Sequence, residues 1–91
     1  MSAFRDRIDA LRASGVLPGS IAELYTRICA LRNAHLEVSR DALVRKDRAR
    51  AARHLRSARQ YNRLARDILA EYAVEISAPI AARQTNDRGK G

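Results

Sequence analysis

Basic side chains are concentrated in one short stretch of the 91-residue chain. Residues 45–66 hold eight Arg and one Lys against a single acid, Asp47, and their net charge of +8 equals that of the whole chain. The other 69 residues carry nine positive and nine negative charges. Guanidinium and ammonium groups at this density attract phosphates and carboxylates, so the chemistry that this stretch offers is anion binding.

Five of these arginines share one side of a predicted helix. At 100° per residue, they fall within about 80° of one another and span about 27 Å by helical rise. About six phosphate contacts along such a stripe would give salt-dependent affinity without reading base sequence. The five are Arg48, Arg56, Arg59, Arg63 and Arg66. The full set of predicted nucleic-acid-binding residues is Arg45, Lys46, Arg48, Arg53, Arg56, Arg59, Arg63 and Arg66.

Basic residues also crowd the start of this helix. Lys46, Arg48, Arg50 and Arg53 lie where the helix dipole is positive. Because unpaired N–H groups at a helix N-terminus favour an anion, a bound phosphate would offset the repulsion between these side chains and the dipole.

Three interpretations of the basic stretch remain open. The first is binding to nucleic acid or to a nucleoprotein complex, in an accessory or regulatory role. The second is a helical adaptor, inhibitor or assembly component that docks on an acidic protein surface. The third is a solvated arginine face without a specific partner, in a proteome rich in Arg. Tyr25, Tyr61 and Tyr72 lie in or beside apolar faces, so the sequence does not favour stacking on single-stranded bases.

Residues that could support catalysis or metal binding are few. The sequence has no Gly-rich phosphate loop and no nucleophile beside a plausible base, so we expect a non-enzymatic protein without cofactor or metal. The acids Asp67, Glu71 and Glu75 recur every four residues, as in a solvated helix face. His35 and His54 are expected to face inward, about one turn apart. Two histidines without a nearby Cys or carboxylate make a poor metal site, but burial would make their packing sensitive to pH.

Helix signals place the first two helices. Residues 2–14 are predicted to form a helix that ends at Gly15, a position where helices commonly adopt the left-handed conformation. A second helix is predicted over residues 20–45 and is opened by the capping box of Ser20 and Glu23.

The apolar pattern then changes face within residues 20–78, which contain neither Gly nor Pro. Its first register is Ile21, Leu24, Ile28, Leu31, His35, Val38 and Ala42, and its second is Ala51, Leu55, Ala58, Tyr61, Ala65, Ile68, Leu69, Tyr72 and Ile76. One straight helix could not bury both faces, so we predict a break between Val44 and Arg48, with Asp47 as the N-cap of a third helix over 48–77. A continuous helix in an oligomer is the alternative, because no Gly or Pro marks the turn.

The predicted fold is all-α: an antiparallel helical hairpin with a short N-terminal helix, forming a single domain over residues 1–78. Homodimerisation is expected, because the two long helices would expose more apolar surface than they can cover. Residues 79–91 lack apolar periodicity and are expected to form a disordered tail. Cys29 is the single cysteine and cannot form an intramolecular disulfide. Without a recognisable signal peptide or membrane span, a cytoplasmic location is expected.

Overall fold

The computed structural model describes residues 2–77, and all of their regular secondary structure is helical. Helix α1 comprises Ala3–Ala13, α2 Ile21–Val44 and α3 Arg48–Glu71. A bend at Tyr72 leads into a short helix, α4, over residues 73–77. The described residues contain no strand, which confirms the predicted all-α class. The segment 79–91, predicted to be a disordered tail, lies outside the described residues.

Polar side chains cap the N-termini of the three longer helices. Each accepts a hydrogen bond from the backbone N–H three residues later, which satisfies one of the donors that a helix start leaves without a partner. The acceptor and donor pairs are Ser2 Oγ with Arg5 N (3.3 Å), Ser20 Oγ with Glu23 N (3.3 Å) and Asp47 Oδ1 with Arg50 N (3.1 Å).

The break between α2 and α3 is a tight turn built without Gly or Pro. Lys46 adopts the left-handed conformation with φ 63°. Its N–H bonds the Leu43 carbonyl at 3.0 Å, and the N–H of Asp47 bonds the Ala42 carbonyl at 2.8 Å. These are the two hydrogen bonds of a Schellman motif, which commonly has glycine at the left-handed position. The turn therefore ends α2 by backbone hydrogen bonding, and the Asp47 side chain starts α3 at the next residue.

The described residues belong to two compact units. The first contains residues 2–25 and 68–77, and its buried side chains include Ile68 and Tyr72, which are 0% and 1% exposed. The Tyr72 hydroxyl lies 2.8 Å from Asp9 Oδ1 and 3.1 Å from the Arg5 carbonyl oxygen. Its single proton is best donated to the nearer carboxylate. Burial of the hydroxyl, together with this hydrogen bond to Asp9, raises the pKa of Tyr72 to about 12.

The Arg5 side chain caps the C-terminus of α3 within this first unit. Its guanidinium carbon lies 4.5 Å from the centroid of the Tyr72 ring. One guanidinium nitrogen donates to the carbonyl oxygen of Glu71, the last residue of α3, at 2.8 Å, and another donates to Glu75 Oε1 at 3.0 Å. Hydrogen bonding to Glu75 raises the pKa of Arg5. A carbonyl that the helix leaves without a partner is thus satisfied by a side chain from α1.

The second unit is Thr26–Asp67, in which α2 packs on α3. Ala51, Ala58 and Ala65, spaced seven residues apart, form the buried side of α3 and are 2–4% exposed. Such small side chains allow close approach of the two helices, and the buried Ser39 Oγ donates to the Ala51 carbonyl at 2.8 Å. Within this unit the predicted α2 register is confirmed at Ile28 and Ala42, which are 5% and 2% exposed. It is wrong at Leu31, which is 45% exposed, and it omits Ser39, which is buried. The Ser39 hydroxyl can be buried because the Ala51 carbonyl oxygen accepts its hydrogen bond.

Candidate anion-binding surface

All eight residues predicted to bind nucleic acid lie within the Thr26–Asp67 unit, and the side chain of each is exposed. Arg45 and Lys46 stand in the turn after α2, and the other six stand on α3. The unit carries twelve positive and four negative side chains. Its net charge of +8 therefore accounts for the charge of the entire chain.

Some of the α3 arginines lie away from the side of the helix that packs on α2, and others lie at its flank. At 100° per residue, Arg56 and Arg63 lie about 140–160° from the buried Ala58 around the helix axis. Arg59 lies only about 100° from Ala58, at the flank of the helix. Helix α3 thus presents Arg56 and Arg63 on its outer side and Arg59 on the flank next to α2.

Most of these cations have no ionic partner among the described residues. Arg45 pairs with Asp41 at 3.2 Å, with both side chains more than 60% exposed. Within the part of the chain that the structure describes, the other seven predicted residues have no carboxylate within 4.0 Å. An exposed pair such as Arg45–Asp41 contributes about 0.2–1 kcal/mol, so an incoming anion could displace it at little cost.

Arg50 lies beside the basic turn, where it lines a groove with Arg45 and Asp47, although it is not among the eight predicted residues. Its side chain is exposed on the first turn of α3. The sequence signal was its position among the basic residues at the start of the helix. At this point Asp47 already accepts the Arg50 N–H, so the helix start holds a carboxylate. The arginine side chains, rather than the free N–H groups of the helix, are consequently the main attraction for an anion here.

The two histidines are closer than the sequence analysis predicted. They were expected about a turn apart, but His35 Nδ1 and His54 Nδ1 lie 2.9 Å apart, within hydrogen-bonding distance. The rings stack with centroids 5.1 Å apart, and the Tyr61 ring stacks on His35 at 5.6 Å. The reason is that Ser39 meets Ala51, which sets the pairing of α2 with α3 so that residue 35 lies opposite residue 54.

This contact limits the protonation states that the two imidazoles can adopt. A hydrogen bond between two ring nitrogens needs one N–H donor and one neutral acceptor, so the two rings cannot both be cationic while it persists. Burial lowers the pKa of His54, and His35, Arg50 and Arg53 lower it further. No group of three or more His, Cys, Asp or Glu suited to a metal ion occurs among the described residues.

Comparisons of the chain with protein-family models, curated proteins and solved structures find no match. Among the described residues, no helix combines the length and apolar character needed to cross a bilayer. The functional argument consequently depends on the geometry and charge of the Thr26–Asp67 unit.

Proposed function

We propose that this protein binds nucleic acid, alone or within a nucleoprotein complex, through the exposed arginines of α3. The observation that supports the proposal most is the row of exposed α3 cations that have no ionic partner among residues 2–77, in a unit whose net charge is +8. Like charges held together repel one another, and a polyanion removes that repulsion while releasing its condensed counterions. We propose an accessory or regulatory role for this binding.

The contacts that we propose are to the backbone of the nucleic acid. Arg56 and Arg63 lie about 10.5 Å apart by helical rise, on nearly the same side of α3. Guanidinium groups spaced in this way can each bind a phosphate through their charge. Phosphate contacts position a protein on nucleic acid without reading its sequence. We therefore expect this surface to supply affinity and salt dependence.

A second candidate function is docking on an acidic protein surface. It is favoured by apolar side chains beside the basic turn: Leu43 is 59% exposed and Val44 is 77% exposed, next to Arg45 and Lys46. Changing the α3 arginines to lysines distinguishes the two partners. Binding to phosphates should largely survive because the charge is kept, whereas bidentate pairing with protein carboxylates should be lost.

The same exposed apolar residues support a further proposal on assembly. We propose that α2 and α3 form an antiparallel hairpin that dimerises through apolar side chains such as Leu31, Leu43 and Val44, which are 45–77% exposed. Sedimentation equilibrium at micromolar concentration should then give the mass of a dimer. A monomer mass over the whole concentration range would contradict this.

The proposal of nucleic-acid binding is tested with two variants that lose the same charge. Arg56→Gln/Arg63→Gln removes two outer arginines of α3, and Arg7→Gln/Arg40→Gln removes two exposed arginines from α1 and α2. In fluorescence anisotropy at about 0.1 M salt, the loss of two phosphate contacts should weaken binding about 10- to 60-fold, since each contributes a salt slope of about 0.9.

The control variant should bind within a few fold of the wild type. Equal weakening by both variants would show that only net charge matters, and the proposed surface would be wrong. Absence of binding by the folded wild type to DNA and RNA at physiological salt would reject the function itself.

A further inference from the structure

A groove lies between α2 and α3 within the Thr26–Asp67 unit. Its volume is about 380 Å³, at the lower end of the range of about 300–1,000 Å³ that is usual for small-ligand sites, and it opens to solvent. Its lining residues are Arg32, Asn33, Leu36, Ala58, Arg59 and Asn62. Leu36 and Ala58 make the apolar part, and none of the six described lining residues is acidic.

The polar groups of the groove are arranged as hydrogen-bond donors. Arg32 Nε donates to Asn33 Oδ1 at 3.1 Å, and Arg32 Nη1 donates to Asn62 Oδ1 at 3.0 Å. These two bonds occupy the carbonyl ends of both carboxamides. What Asn33 and Asn62 offer an occupant is therefore their NH₂ groups, beside the guanidinium of Arg59. An occupant of this groove must bring acceptors, together with some apolar surface.

The groove also adjoins a line of arginines. Arg48, Arg59 and Arg66 fall within about 20° of one another around α3, on the flank next to Asn62. Arg59 lines the groove, and the other two lie about 16 Å and 10 Å from it along the helix by rise. A phosphodiester chain that follows this flank would pass the mouth of the groove at Arg59.

We propose that the groove receives one unpaired nucleotide of a single-stranded segment, whose phosphate binds Arg59. The carbonyl oxygens and ring nitrogens of a base supply the acceptors for Asn33 and Asn62, and the base and sugar contact the accessible side chain of Leu36. Tyr61 is not used, because its ring packs on His35. This inference rests on the proposed nucleic-acid binding and adds that the ligand is an unpaired strand. The bases of a continuous duplex are stacked and cannot enter a concave site.

The test compares two substitutions of a carboxamide on α3. Asn62→Leu removes one of the two carboxamide donors of the groove with little change in size, and Gln60→Leu removes a carboxamide from outside the groove. Neither changes the net charge. By fluorescence anisotropy with about 20-nucleotide probes, the wild type should prefer a single strand to a hairpin duplex. Asn62→Leu should weaken single-strand binding about 5- to 10-fold. Gln60→Leu, which lies among the outer arginines, should weaken single-strand and duplex binding equally and by less than Asn62→Leu weakens single-strand binding.

Asn33→Leu, at an exposed position on α2, is a second variant in case Asn62→Leu unfolds the chain. Wild-type preference for the duplex, or equal single-strand binding by the groove variants and the wild type, would overturn the inference. If the groove variants bind as the wild type does but Arg56→Gln/Arg63→Gln binds more weakly, only the groove is rejected and the proposed function stands. Displacement of the strand by polyglutamate at equal charge concentration would assign the groove to an acidic protein and overturn the inference as well.

Discussion

The turn at Lys46 leads to a prediction about stability. A residue with a Cβ in the left-handed conformation costs about 1–2 kcal/mol relative to the right-handed region. Changing Lys46 to Gly removes this strain but gives the unfolded chain more conformational freedom, which costs about 0.4–1 kcal/mol. From the middle of each range, the net gain should be about 0.8 kcal/mol.

The matched control is Lys46→Ala. Both variants lose the same charge, and both keep the N–H that bonds the Leu43 carbonyl, but only glycine relieves the strain. Thermal unfolding followed by circular dichroism should place the midpoint of Lys46→Gly about 2–8 °C above that of Lys46→Ala, given about 4–8 °C per kcal/mol for a chain of this size.

Equal midpoints, or a lower midpoint for Lys46→Gly, would refute the reasoning. Such a result would mean that the break between α2 and α3 does not depend on a left-handed residue at position 46. The alternative of a continuous helix through residues 44–48 would then return, with the basic residues of the turn placed on a helix face.

Two further predictions concern the buried polar contacts. Because the pKa of His54 is lowered in the folded state by burial and by His35, the unfolded chain binds more protons, and stability should fall as the pH drops below about 6.5. Urea midpoints at about pH 7.5 and 5.5 should show this fall in stability. His54→Phe keeps a stacked ring without a titrating nitrogen, so it should make the fall smaller. The same pH dependence in the variant and the wild type would contradict the assignment of the fall to His54. Tyr72→Phe should cost about 0.5–1.5 kcal/mol by losing the hydrogen bond to Asp9, and Tyr72→Ala about 3–5 kcal/mol by losing a buried ring, both measured by urea unfolding. Similar costs for the two would mean that the ring is not packed as the structure has it.

The helical class could be predicted from the sequence because the pattern of apolar residues is strong over long segments. Asp47 was identifiable as a capping residue by its type and position. The turn before it was harder to read, because its left-handed residue is a lysine, and nothing in the composition of residues 44–48 marks a Schellman motif.

The pattern of apolar residues could not predict the register in which α2 packs against α3. It depends on the Ser39 hydroxyl meeting a backbone carbonyl of α3 opposite small alanines, and hydropathy alone does not assign a serine to a buried face. The contact of His35 with His54 follows from that register. The arrangement of Arg32 between two asparagines is likewise a tertiary contact, since Asn62 lies thirty residues along the chain. The basic stretch, by contrast, is a local property of the sequence and was predictable residue by residue.

The most direct test of nucleic-acid binding by α3 is the slope of log K against log salt concentration for the wild-type protein. If five arginines each bind one phosphate, the slope should be about −4.5 on duplex DNA and about −3.5 on single strands. Arg56→Gln/Arg63→Gln should reduce its magnitude by about 1.8 on the duplex and 1.4 on single strands. A slope near zero, or an unchanged slope in this variant, would contradict the account.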